Sequence, residues 1–252
     1  MQKRLGFMLL MVCGVLSLCV GIAFPTLVPS RRALVIGNAA YVDSSLSNPI
    51  NDATDLAALL RRLGFDVTLH RDADKPTMEQ AIDRFTHGVP PGSAGLFFFA
   101  GHGVQIDGVN YLVPIGARFN TASEVKDHAV AAEGVLARMD DSGMGVKLLL
   151  LDACRDHPLG RSVKGAFSRG LGAMEASQGT LIAYATSPDK TVSDGIGRNS
   201  LFTSSMLLEL VVARRNIEVA LTAVQANIQK LTKGEQIPWV SSALTGAFSV
   251  VP

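Results

Sequence analysis

Two stretches decide the fold: Gly95-Leu96-Phe97-Phe98-Phe99-Ala100-Gly101-His102-Gly103 and Lys147-Leu148-Leu149-Leu150-Leu151-Asp152-Ala153-Cys154-Arg155. Each is a short apolar run that stops abruptly at polar, reactive residue types. A run of this length without alternation fits a strand buried on both faces of a parallel sheet. Parallel sheets place their ligand sites outside the carboxyl ends of the strands. The two runs therefore predict neighbouring strands that deliver His102 and Cys154 to one sheet edge. A thiol near an imidazole is the minimum apparatus of cysteine nucleophilic catalysis.

Working outward, Arg32–Gly37 reads as a first strand, and Pro49 at a first helical position opens a helix that Gly64 ends. Phe65–His70 is a second strand and Thr77–Phe85 a second helix. Gln105–Leu112 is a hairpin across Asp107-Gly108. Thr121-Ala122-Ser123-Glu124 resembles a capping box and predicts a third helix running to about Met139. Arg155–Ser177, rich in Gly, Ser and basic residues, predicts a flexible loop. Gly179–Ala185 is a further strand, and Thr186–Asn199 another loop. Ser200–Arg214 and Glu218–Leu231 are helices, and Ala247–Val250 a short last strand. Strands alternating with helices predict a three-layer α/β/α sandwich around a mostly parallel six-stranded sheet.

The chain has 252 residues, 48% of them hydrophobic and 18% charged, with a formal net charge of +1. That supports one globular domain with a sizeable core, and it gives no electrostatic footprint for nucleic acid. Residues 1–30 stand apart. Lys3 and Arg4 precede an apolar run over residues 5–24, the pattern of an export signal, with Gly21-Ile22-Ala23 as a small-x-small cleavage site. The run nearly spans a bilayer, so an uncleaved membrane anchor is the alternative. Either way the protein is expected to be exported: periplasmic, secreted, or anchored, with its folded domain over residues 31–252. Cys13 and Cys19 fall inside the run, and neither follows a small residue as a lipoprotein site would require. Removal of a signal leaves Cys154 as the sole cysteine, a free thiol among Asp152, Arg155, Asp156 and His157. A buried inert thiol would suit the middle of the apolar run better.

His102 can act as base or supply a positive field for Cys154. Gly101 and Gly103 on either side permit a sharp turn and close approach to a substrate. The backbone N–H groups of Gly103 and Cys154 are the natural oxyanion donors at that edge. His70, His87, His128 and His157 have no comparable setting and read as surface or loop residues. A zinc site needs several Cys or His at short spacing, which His102 and Cys154 do not supply. Neither a Gly-x-Ser-x-Gly elbow nor a phosphate loop is present, leaving serine-hydrolase and nucleotidase readings without support. No acidic cluster reads as a calcium site, and Asp140 with Asp141 reads as a solvated helix end. No metal or other cofactor is expected, with calcium dependence left open.

These residues resemble the caspase–metacaspase–paracaspase family of cysteine peptidases. In caspases the His lies about 50 residues before the Cys; here His102 and Cys154 are 52 apart. The likeness extends to Arg32-Ala33-Leu34-Val35-Ile36-Gly37-Asn38, Asn51-Asp52-Ala53, Tyr184-Ala185-Thr186 and Gln236-Ile237-Pro238-Trp239, in the family's order. The Asp two before the Cys is similar to metacaspases rather than to animal caspases. One departure stands beside the nucleophile: Arg155-Asp156-His157 follows Cys154 where metacaspases usually have His-Ser-Gly.

The resemblance implies a cysteine endopeptidase acting on polypeptides, with Cys154 as nucleophile and His102 as general base. It implies that Asp52 and Asp152 form an acidic pocket that takes Arg or Lys before the cut bond, not Asp. It also implies a monomer, as in metacaspases. The loop from Arg155 to Ser177 corresponds to the processed linker of caspases, so self-cleavage beside Arg155, Arg161, Lys164 or Arg169 is one expectation, and a solvated loop that is never cut is the other. The competing function is a binding or scaffolding protein on the same fold with little or no turnover; the presence of both His102 and Cys154 argues against it. A thiol-redox role ranks last, because the mature chain would hold no resolving cysteine.

Overall fold

The computed structural model describes residues 30–42, 44–153, 170–187, 197–212 and 215–251. The chain runs β1 (Arg31–Gly37), α1 (Pro49–Arg62), β2 (Asp66–Arg71), α2 (Lys75–Thr86), β3 (Ala94–Ala100), β4 (Gly103–Ile106), β5 (Val109–Leu112), α3 (Ala122–His128), β6 (Val130–Ala131), α4 (Ala132–Asp141), β7 (Val146–Asp152), β8 (Thr180–Tyr184), α5 (Leu201–Glu209), α6 (Ile217–Leu231) and β9 (Trp239–Ser242). Six strands form the main sheet in the order β2-β1-β3-β7-β8-β9. All pair in parallel except β9, which runs antiparallel to β8.

The two defining runs become β3 and β7, side by side, with Ala100 opposite Asp152. Their alternate side chains enter different cores. Leu96, Phe98, Leu148 and Leu150 meet α1, α5 and α6 on one face. Phe97, Phe99, Leu149 and Leu151 meet α2 and α4 on the other. Burial on both faces is why these strands show no polar alternation. Each such side chain contributes roughly 1.5–3 kcal/mol by leaving water. A three-layer sandwich results, as the sequence predicts.

Helix starts follow their caps. Asp74 accepts from Thr77 N at 3.0 Å, Thr121 from Glu124 N at 3.2 Å and Ser200 from Thr203 N at 2.9 Å. Across the β4–β5 turn Asp107 and Gly108 both have positive φ, the left-handed pair that a two-residue hairpin requires.

Three expectations need correction. The helix from Thr121 does not reach Met139. It stops at His128; Val130 and Ala131 pair with Leu112 and Tyr111 as a third strand of the small sheet, and a new helix begins at Ala132. Val125 belongs to the small-sheet core, whereas Val135, Leu136 and Met139 belong to the main one, so one straight helix could not serve both. The last strand is β9, not Ala247–Val250. That segment instead closes over the start of α6, where Phe248 O accepts from Ile217 N at 2.8 Å. Finally, the end of the presumed flexible loop is packed: Leu171 and Met174 are buried, and Met174 N donates to Tyr184 Oη at 3.0 Å. The apolar run over residues 5–24, Cys154, and the basic residues Arg155, Arg161, Lys164 and Arg169 lie outside the described residues.

Candidate functional site

β1, β3 and β7 end level with one another, Gly37 opposite Ala100 and Ala100 opposite Asp152. Of the site residues expected from the sequence, Asp52, His102, Gly103 and Asp152 lie at this edge. Gly101 N donates to Asp152 O at 3.2 Å, tying the turn after β3 to the end of β7. His102 follows and is 2% exposed. Neither flanking position has room for a side chain. A Cβ at Gly101 would lie 2.6 Å from Tyr41 Oη, and one at Gly103 would lie 2.5 Å from Ala153 O. Position 103 is thus pressed against the residue that precedes Cys154. Cys154 itself lies outside the described residues.

The loop after β1 sets the imidazole. His102 N donates to Tyr41 Oη at 3.0 Å, Tyr41 Oη donates to Val113 O at 2.9 Å, and the two rings stand 4.4 Å apart at 54°. His102 Nε2 lies 2.7 Å from Ser44 O. A carbonyl only accepts, so this contact places the proton of the neutral ring on Nε2 and the basic lone pair on Nδ1. That arrangement suits a group that takes a proton at Nδ1 and passes the resulting charge towards a carbonyl dipole.

Asp52, in the first turn of α1, and Asp152, the last residue of β7, are 0% and 1% exposed. They meet at Ser200. Ser200 N donates to Asp52 Oδ1 at 2.9 Å, and Ser200 Oγ donates to Asp152 Oδ2. Thr203 Oγ1 adds a weaker donor to Asp152 at 3.3 Å. Ser200 is also the cap of α5, so both carboxylates sit at a helix N-terminus, where the dipole favours negative charge. The segment leading into Ser200 is strapped to α1. Asn51 Nδ2 donates to Arg198 O, and the Arg198 guanidinium makes a two-point contact with Asp55 at 2.9 and 3.0 Å. That guanidinium holds the Asp55 carboxyl below its ordinary range, against the opposing effect of burial.

A second network fixes the segment that begins at residue 170. Asn110 exchanges two bonds with Gly172, Nδ2 to O at 3.0 Å and Oδ1 from N at 2.7 Å. Glu133 accepts from Asn110 N and Nδ2. Leu171, beside Gly172, covers Gly103: a Cβ there would lie 2.8 Å from Leu171 Cδ2. Burial pushes the Glu133 carboxyl up, and the Asn110 bonds only partly offset it.

Other motif residues are structural. Asn38 is fully buried and binds Ala73 and Val113 through its amide. Gln236 Nε2 donates to Ala185 O at 2.8 Å, joining two of the motifs. Asp140 is not merely a solvated helix end: it pairs with the buried Lys147 at 2.5 Å and accepts from Ser177 Oγ. His70 is half-buried on β2, with burial first and Arg84 second pushing its pKa down, while His87 and His128 are exposed. Among the described residues no group of three or more His, Cys, Asp or Glu is placed to hold a metal ion.

Sequence reasoning missed Tyr41, Ser44 and Ser200 as site residues. Ser44 contributes only a backbone carbonyl, which no sequence pattern displays. Ser200 is legible as a helix start, but not as the junction of two distant aspartates.

Comparison with known proteins agrees with this architecture. The family model described as "Caspase domain" matches residues 30–249. The chain is 29% identical over 226 residues to mucosa-associated lymphoid tissue lymphoma translocation protein 1 of Homo sapiens, a match covering 87% of this chain and 26% of that protein. Its Mus musculus homolog matches at the same identity and coverage. The chain thus spans about a quarter of the length of these curated relatives.

Proposed function

The chain belongs to the caspase-domain family of peptidases, and from that premise we propose that it is a cysteine endopeptidase that cleaves after Arg or Lys. The observation that carries the specificity is the convergence of Asp52 and Asp152 on Ser200, with Asp152 bonded through its carbonyl to Gly101, the neighbour of His102, and two residues before Cys154 in sequence. Paired carboxylates suit a guanidinium, which meets them in two-point fashion, and suit an ammonium less well. A third carboxylate, from an Asp side chain of substrate, would be repelled.

In this reading His102 Nδ1 takes the Cys154 proton, and the thiolate attacks the scissile carbonyl carbon. The tetrahedral oxyanion is held by the backbone N–H groups of Gly103 and Cys154. Collapse breaks the C–N bond as His102 returns its proton to the leaving amine. Water then hydrolyses the thioester with His102 again as base. The reaction as written uses no cofactor, and a chelator titration tests calcium dependence. The protein is read as exported and monomeric.

The test uses matched peptides with Arg, Lys or Asp before the scissile bond. Turnover of the Arg and Lys peptides is expected, and none by Cys154→Ala. Preference for the Asp peptide, or full activity in both Asp52→Ala and Asp152→Ala, overturns the assignment. Labelling of Cys154 by an electrophilic peptide ketone should be much faster in wild type than in His102→Ala. Equal labelling with no turnover of any peptide would instead favour the binding-protein reading.

A further inference from the structure

We propose that the end of the domain opposite the candidate site is a docking surface for an anionic lipid bilayer. The helix directions define this end. α5 starts at the carboxyl edge of the sheet, where Ser200 holds Asp52 and Asp152, and so finishes at the amino edge. α6 starts there, its Ile217 N bonded to Phe248 O, close to Val250, whose carbonyl accepts from Arg31 at the head of β1. α1 also ends there, since the following β2 begins opposite Arg32.

Four of the six exposed large apolar side chains among the described residues cluster at this end: Leu208 (68% exposed), Val211 (47%), Val212 (38%) and Val219 (56%). Exposed groups of apolar residues mark interaction surfaces, whereas single ones do not. The charges at the same end favour an anionic partner. Glu209 is paired with Arg215, whereas Glu218, which accepts from Ser242 Oγ, and the exposed Asp66 opposite Arg32 keep their charge. Against these two acids stand four cations at the same end: Arg31 and Arg32 at the head of β1, and the exposed Arg61 and Arg62 in the last turn of α1, Arg61 donating to Val67 O. Apolar residues flanked by cations are the composition that binds the headgroup boundary of a bilayer.

Chain length supplies a second argument. Phe24 closes the apolar run and Ser30 O already bonds Ala94 N in the sheet. Six residues, even fully extended, span only about 20 Å. An uncleaved run in the bilayer therefore brings this end of the domain, and no other, to the headgroups. Docking turns the carboxyl edge, with His102, towards the aqueous phase. The inference stands apart from the peptidase reading, because it concerns the opposite face.

The experiment is hydrogen–deuterium exchange on the full chain in nanodiscs of phosphatidylcholine alone and of phosphatidylcholine with phosphatidylglycerol. Peptides covering residues 204–220 should be protected in the anionic discs and lose that protection in the triple variant Leu208→Glu, Val211→Glu, Val219→Glu. Peptides covering residues 102–114 should exchange alike throughout, which also shows that the variant is folded. Equal exchange of 204–220 in wild type and variant overturns the proposal. Protection that grows with protein concentration rather than with anionic lipid would assign the patch to a second copy of the chain, and overturns it too. If intact mass shows residues 1–23 removed, flotation with anionic vesicles decides in the same way: binding lost in the triple variant supports the surface, and no binding refutes it.

Discussion

Replacing Ser200 by Ala separates the two aspartates without touching either. The hydroxyl has two bonds: it accepts from Thr203 N at 2.9 Å and donates to Asp152 Oδ2. Losing a serine helix cap costs about 1 kcal/mol. Losing a donor to a buried carboxylate costs about 1.5–3 kcal/mol. The variant should therefore be about 3 kcal/mol less stable, a large share of the 5–15 kcal/mol typical of a domain. With a urea slope of roughly 2–3 kcal/mol/M, the midpoint should fall by about 1 M. The backbone donor from Ser200 N to Asp52 remains, so Asp52 stays placed while Asp152 loses its Ser200 donor.

Thr203→Val provides the internal comparison. It removes only the 3.3 Å bond to Asp152 and should cost about 1 kcal/mol or less. Urea unfolding followed by fluorescence of the single Trp, Trp239, gives both stabilities. Peptide kinetics give the second readout: Ser200→Ala should lower kcat/KM on Arg peptides more than Thr203→Val does. If the two variants are equally stable, or if Ser200→Ala loses under 1 kcal/mol, Ser200 is not the junction that the geometry makes it.

Three further outcomes are expected. Gly103→Ala sets a methyl against Ala153 O and Leu171, so its activity should collapse, and an active, equally stable variant would contradict the packing. Glu133 has a raised pKa, so its favourable contribution is full below the unfolded value and is lost as pH rises through the folded one; Glu133→Gln should flatten the stability–pH curve across that window and be relatively more stable than wild type at alkaline pH, and a parallel curve in the melting series would argue otherwise. Any self-cleavage should fall among Arg155–Arg169 rather than in the Asn110-bound segment that follows, so intact mass showing a cut after residue 171 would refute the role of that clamp.

Legibility in the sequence tracked how locally each feature is determined. β3 and β7 were readable because burial on both faces leaves an uninterrupted apolar run, and their edge follows from parallel pairing. The Asp107-Gly108 turn was readable because its backbone demands those residues. The capping box at Thr121 marks a helix start but no end, and Val125, Ala129, Leu136 and Met139 keep helical spacing across the break at Val130, so nothing local separates two helices that serve different cores. β9 was hidden because Trp239–Ser242 is a half-exposed edge strand, while Phe248 and Val250 supplied apolar character to a segment that only caps α6.

The same distinction separates the two halves of the site. His102 announces itself through flanking glycines, whose need is steric and immediate. The carboxylate pair does not, because Asp52 and Asp152 lie 100 residues apart and meet through Ser200, a further 48 along. Each looks ordinary alone: a first-turn acid, a strand-end acid and a helix cap. Only the topology, with α1 and α5 both starting at the carboxyl edge, turns three local habits into one centre with paired carboxyl groups. On the proposed reading, specificity depends on contacts of long sequence separation, while nucleophile and base depend on neighbouring strand ends. On that reading, loop and cap changes around Ser200 should retune which side chain is accepted while leaving His102 held by Tyr41 and Ser44.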